Sequence, residues 1–171
     1  KSNLTMSKYL SIILAVMLII SSCGPGGSGR HKSEKLKVAS GSSYPVQLIT
    51  VDPGHFHAAL VQKSMFPQVS PVVHVYAPDG PDVQQHLIRI ASYNNRTVDP
   101  TSWNEIVYKG DDFFEKMLSE KPGNAVVLSG NNKKKAEYIL RSIEAGLNVL
   151  ADKPMIIFPE DFPSLEKAFQ L

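Results

Sequence analysis

From Tyr44 onward the chain alternates short apolar runs with stretches of helical spacing, and this alternation constrains the fold more than any other feature. Val46 to Val51, Val72 to Tyr76, Ala125 to Leu128 and Asn148 to Ala151 read as strands, with a shorter one at Glu105 to Tyr108. Between them, Phe56 to Ser64, Val83 to Ser92, Asp111 to Ser119 and Asn132 to Ala145 carry helical spacing, with Ile139, Leu140 and Ile143 on one face of the last. Strand and helix in repeating order predict an α/β fold with a doubly wound, mostly parallel sheet. Asp111 and Asn132 stand where they would cap their helices, and Gly146 stands where helix gives way to strand. Residues 44–158 suffice to bury a core, and a further helical pattern runs from about Pro159 through Ala168.

The first 43 residues read differently. After a basic lead, Tyr9 to Ile20 is an almost unbroken apolar run of 12 residues. That is short for a membrane span, which needs about 20 apolar residues, and it fits the apolar core of a secretory signal. The run ends in Ile20-Ser21-Ser22-Cys23, similar to the lipobox of bacterial lipoproteins, so residues 1–22 are expected to be a signal and Cys23 the lipidated first residue of the mature chain. Residues 23–43, rich in Gly, Ser and basic residues, read as a flexible tether. A single Cys excludes an internal disulfide framework. Residues 1–43 hold six of the 18 Lys and Arg but one of the 16 acids, so the folded part is mildly acidic. The basic character therefore points to anionic lipid head groups and not to nucleic acid. The expected location is a bacterial cell envelope, lipid-anchored and facing the periplasm or the surface. Lys133-Lys134-Lys135, the basic cluster of the folded part, reads as a solvated helix start or, alternatively, a phosphate contact.

Two segments carry the chemistry. The first strand runs into Asp52-Pro53-Gly54-His55-Phe56-His57, where Gly54 would let backbone approach a pyrophosphate and the following helix would point its N-terminus at it. The last strand lies in Glu144-Ala145-Gly146-Leu147-Asn148-Val149-Leu150-Ala151-Asp152-Lys153-Pro154. Together these resemble the Gfo/Idh/MocA oxidoreductases, in which a Gly-rich turn follows the first strand and a later strand ends in Glu-Lys-Pro; here Asp152 replaces the Glu. The likeness covers roughly Val46 to Ile157. Against the glycine pattern Gly-x-Gly-x-x-Gly, Asp52 stands at the first position and His57 at the third.

The resemblance implies a Rossmann-like domain over residues 44–158 that binds NAD or NADP, with residues 159–171 leading toward a second, α+β domain that this chain lacks. It implies a cofactor site of Gly54, His55, Phe56, His57, Asp79, Asn132, Asp152, Lys153 and Pro154, with Lys153 as the catalytic proton carrier. Asp79, in the turn Ala77-Pro78-Asp79-Gly80, serves either a ribose hydroxyl or the turn itself. Lysine suits its role because partial desolvation at a strand end lowers its pKa toward working pH. No metal site is expected: His55 and His57, two residues apart, share no helix face, and neither Cys nor a carboxylate-rich motif accompanies them.

The implied function is hydride transfer at a carbinol carbon of a sugar, sugar alcohol or glycoside, with a homo-oligomer formed through the second domain. An NAD-dependent glycosidase of the same fold, or a lipid-anchored binding protein that has lost its cofactor, are the alternatives. Asp52 and the missing glycines point to the latter.

Overall fold

A computed structural model describes residues 44–171 of the chain; the expected signal, tether and Cys23 lie outside the described residues. The sheet is built on β1 (Leu48–Val51), whose four residues are all buried, as befits a strand covered on both faces. Around it lie β2 (Val72–Ala77), β3 (Asn104–Lys109), β4 (Ala125–Leu128) and β5 (Asn148–Ala151). All pair in parallel, in the order β3-β2-β1-β4-β5. Thr50 faces Val75 on one side and Val127 on the other. The chain thus walks outward from β1 to β3, returns to lay β4 on the free side of β1, and finishes with β5. The reversal makes the gap between β1 and β4 the switch point of the sheet.

Strand alternation divides the core. Ile49, Val51, Val126 and Leu128 point to one face, under α3 (Phe113–Glu120), α4 (Lys135–Glu144) and α5 (Phe162–Gln170). Leu48, Val73 and Val127 point to the other, under α1 (His57–Leu60) and α2 (Pro81–Asn94). Phe113, Phe114 and Met117 of α3 and Tyr138 and Ile139 of α4 fill the first face, while Ile90 of α2 and Trp103 fill the second. The doubly wound α/β fold is as the sequence predicts. Among the described residues no helix is long and apolar enough to cross a membrane.

Several boundaries differ, each for a local reason. Val46 makes an isolated bridge to Val69, so β1 begins two residues later than predicted. The helix expected over Phe56 to Ser64 is a single turn. Beyond Leu60, Gln62 and Lys63 donate to carbonyls three residues back, and the Gln62 carbonyl is turned to accept the Trp103 indole N–H at 2.6 Å. Neither Asp111 nor Asn132 caps a helix: Asp112 and Lys134 occupy the cap positions, and neither makes a side-chain cap. Asp112 instead accepts from the Tyr108 hydroxyl at 2.6 Å, and the Asn131 side chain accepts the Lys133 amide at 3.1 Å, holding the chain in a turn before α4 can start. Gly146 does end α4. At φ 81 it donates to Ile143 at 2.8 Å and lets Leu147 donate to Ser142 at 3.0 Å, the paired closure that a left-handed glycine permits.

Candidate functional site

The carboxyl ends of β1 and β4 meet across the switch point, backbone against backbone. Asp52 leaves β1 with φ 46, a left-handed conformation that costs a non-glycine residue roughly 1 kcal/mol or more. Its amide extends the sheet ladder to the Tyr76 carbonyl at 2.9 Å, and its own carbonyl accepts the Gly54 amide at 2.8 Å. The His55 amide then reaches across to the Ser129 carbonyl at 3.0 Å. This contact requires Gly130. A Cβ there would lie 1.9 Å from the Asp52 carbonyl oxygen and 2.6 Å from the Gly54 nitrogen. A Cβ on Gly54 would meet Gly130 at 3.3 Å, tight but within reach of small shifts. The glycine singled out in the sequence is therefore the more tolerant of the two.

A cavity opens on each side of this glycine contact, and Gly54 and Gly130 line both. The larger, about 540 Å³, has Asp52, Asp82, Asp111 and Lys134 on its wall. Burial raises the Asp52 pKa above the ordinary carboxyl range; Asp82 adds to the rise and Lys134 opposes it. The smaller, about 380 Å³, is lined by His55, His57, Asn132, Asp152, Lys153 and Pro154. Most of the residues expected at the site are thus brought together on one wall. Two are not. Phe56 turns away into a separate recess, where the Arg89 guanidinium lies 6.0 Å from its ring centroid. Asp79 lines neither cavity; it is exposed and paired with Lys109 at 2.8 Å, which holds its carboxyl below the ordinary range. The structure thus places it in the bend after β2, in a surface ion pair.

Asp152 is the hub of the smaller cavity. One carboxylate oxygen, Oδ1, pairs with the Lys135 ammonium, which also donates to the Asp152 carbonyl at 3.2 Å. The other, Oδ2, accepts the Ser129 hydroxyl at 2.8 Å and faces His57 Nδ1 at 3.1 Å and His55 Nδ1 at 3.7 Å. Burial works to raise the Asp152 pKa, but the hydrogen bonds from Lys135, Ser129 and His57 outweigh it and hold the carboxyl below its ordinary value. The two imidazoles stand edge to face with centroids 4.2 Å apart. The turn itself supplies the orientation that the spacing of the two histidines does not, and the missing carboxylate comes from 95 residues downstream.

Lysine roles are exchanged relative to expectation. Lys153 is exposed on the cavity wall, so the desolvation expected of it is absent. Lys135, expected on a solvated face, is 1% exposed. A signal was present: Lys135 precedes Ile139 and Ser142 at intervals of four and seven residues, on the buried stripe of α4. Gly130 and Ser129 carried no comparable signal, because their partners are remote in sequence.

No family model matches the chain, and no curated protein matches it. Among solved structures, it is 61% identical to a protein of Parabacteroides merdae ATCC 43184 described provisionally as an oxidoreductase, with a TM-score of 0.72 over 73% of this chain. The chain spans 28% of the length of that protein. It superposes on myo-inositol 2-dehydrogenase from Lactobacillus plantarum at 15% identity, with a TM-score of 0.52 over 74% of this chain and 33% of the other. A provisional oxidoreductase from Thermotoga maritima gives 14% identity and a TM-score of 0.51 over 73% and 35%. The fold is Rossmann-like. The two distant likenesses establish that fold alone; the first establishes close sequence kinship over the matched part.

Proposed function

We propose that this chain forms the dinucleotide-binding part of an NAD(P)-dependent oxidoreductase that transfers hydride at a carbinol carbon of a sugar, sugar alcohol or glycoside. The observation that carries the reading is the close backbone contact of Gly54 and Gly130 at the carboxyl ends of β1 and β4, with both glycines lining the two cavities. Two cavities that share a glycine wall, at the switch point of a parallel sheet, suit a ligand of two nucleoside halves joined by a pyrophosphate. Kinship with the Parabacteroides protein supports the reaction class.

The charges fit on one condition. Three acids and a single cation, Lys134, face the larger cavity, which would repel a phosphate if all three were ionised. Burial raises the Asp52 pKa and so disfavours its charged form, which eases the repulsion. Lys134 would then hold the linker, with Gly54 and Gly130 keeping the backbone close. When bound, the nicotinamide supplies the acceptor or donor of hydride. This chain's part is to place the reactants and move the proton. Lys153 stands exposed on the wall of the smaller cavity with no ion-pair partner among the described residues, so its Nζ is free to reach a carbinol oxygen there, and substrate covering the cavity would supply the desolvation that carrying the proton needs. Asp152, fixed by Lys135 and Ser129, anchors the backbone from which Lys153 projects.

Titration of the chain with NADH and NADPH, followed by nicotinamide fluorescence, tests the reading. Saturable binding that Gly54→Val abolishes without loss of fold supports it. No binding of either cofactor favours the second reading, a binding protein without cofactor, to which the acids around the larger cavity point. On the same proposal the protein sits on the bacterial cell envelope, anchored by lipid at Cys23, as the Ile20-Ser21-Ser22-Cys23 run suggests. Mass spectrometry of the membrane fraction should find a lipidated Cys23 at the mature N-terminus, and an unmodified terminus upstream of it would refute the anchor.

A further inference from the structure

We propose that His55, His57 and Asp152 form a binding site for a divalent transition-metal ion of the zinc class, with one coordination position open to the smaller cavity. One ligand atom from each of the three residues lies within 4.8 Å of the others. A tetrahedral ion with bonds of about 2.0–2.1 Å spaces its ligand atoms about 3.3 Å apart. Nδ1 of His57 and of His55 lie 3.1 and 3.7 Å from the same carboxylate oxygen of Asp152, on either side of that value, and the long 3.4 Å bond that His55 Nδ1 accepts from the His57 amide is one the ion would replace. The donor set, two imidazoles and a carboxylate, is one that zinc accepts, and three protein ligands leave a fourth place for an oxygen from water or substrate.

The surroundings are arranged as an outer ligand shell. Oδ1 of Asp152 is committed to Lys135, so the carboxylate binds through Oδ2 alone, and the Ser129 hydroxyl takes one lone pair of Oδ2 and leaves the other facing the histidines. Lys135 is buried in α4, which makes it a fixed partner of the carboxylate and not a competitor free to swing into the site. His55 and His57 are about half and one third exposed, and both line the cavity, so an ion has a path in and an exogenous oxygen a path to the ion. The backbone that carries the two rings is itself pinned, through the His55 amide on Ser129 and the left-handed Asp52. The site rests on these residues alone and holds whether or not the larger cavity takes a dinucleotide.

Cobalt(II), which reports its geometry through its visible spectrum, is the probe. Added to the full chain without any nucleotide, one Co²⁺ per chain should give the intense visible bands of a four- or five-coordinate ion, and Zn²⁺ should displace it. His55→Ala, His57→Ala and Asp152→Asn should each lower the affinity by more than about 100-fold. Ser129→Ala, which touches the ion only through Asp152, should lower it by about 10- to 100-fold. His74→Gln, on β2, should leave it unchanged. Far-ultraviolet circular dichroism on each variant separates loss of the site from loss of the fold. The weak bands of the hexaaqua ion in the wild-type chain would overturn the proposal. So would strong bands that survive in both histidine variants, since the ion would then be bound elsewhere.

Discussion

Glu105→Gln should stabilise the domain at neutral and alkaline pH and leave it unchanged in acid. Glu105 lies on β3 with its side chain 10% exposed, beside His86 of α2 at 2%. One of its oxygens accepts the Gln62 amide at 2.5 Å; among the described residues the other has no hydrogen-bond partner, and neither ring nitrogen of His86 has one. The 4.0 Å approach of Glu105 to His86 is therefore a contact between two neutral groups and not an ion pair. Burial raises Glu105 from 4.5 to about 7 against the opposing pull of Gln62, and burial lowers His86 from 6.5 to about 4. At about 1.4 kcal/mol per unit, each shift corresponds to roughly 3 kcal/mol. The signs oppose. The Glu105 contribution is complete below pH 4.5 and is lost as the pH rises toward 7, because the folded state must then bury a carboxylate. The His86 contribution is complete above pH 6.5 and is lost as the pH falls toward 4, because the unfolded imidazole takes up a proton first. Between 4.5 and 6.5 the two slopes offset one another in the wild type. Glutamine accepts the same bond from Gln62 and carries no charge, so the variant keeps only the histidine slope. Urea unfolding at half-unit steps from pH 4 to 8 should show the variant equal to wild type near pH 4.5 and about 3 kcal/mol more stable by pH 7.5. A difference that stays constant across the range would refute the reasoning, since a constant offset reports packing and not ionisation.

The glycine contact predicts an order of severity: Gly130→Ala, whose Cβ would fall inside the Asp52 carbonyl, should cost about 3 kcal/mol or prevent folding, whereas Gly54→Ala should cost under about 1.5 kcal/mol, both read from thermal or urea unfolding. Lys135→Met should destabilise by about 3 kcal/mol by leaving the Asp152 carboxylate without its ammonium; a change below about 0.5 kcal/mol would show that the pair contributes nothing net. In any active form of the protein, Lys153→Ala should lower turnover by about 10²- to 10⁴-fold with cofactor affinity held within about tenfold. Lys153→Arg should rescue poorly, because guanidinium does not release a proton near neutral pH. Unchanged turnover in the alanine variant would reduce Lys153 to a surface residue at a strand end.

The sequence by itself determined the layered fold, because the signals behind it are local. Val46 to Val51 and Ala125 to Leu128 are apolar runs of strand length, and the helical intervals between strands repeat in order. Gly146 could be recognised for the same reason: a helix end needs a left-handed residue within one turn. Local reading also found the two segments that meet at the site, ending in His57 and in Lys153-Pro154. Only the tertiary structure decided what those segments do to one another. Glycine 130 is indispensable because Asp52, 78 residues earlier, lies against it, and no pattern near residue 130 encodes that approach. The spacing of Lys135 to Ile139 and Ser142 can mark it as buried, but its partner is decided only when β5 brings Asp152 over the start of α4. His55 and His57 cannot share a helix face, and they converge only because a left-handed Asp52 and the Ser129 carbonyl turn the backbone between them. Hydrophobic periodicity is written residue by residue along the chain, whereas close approach and charge pairing depend on contacts between segments far apart in it.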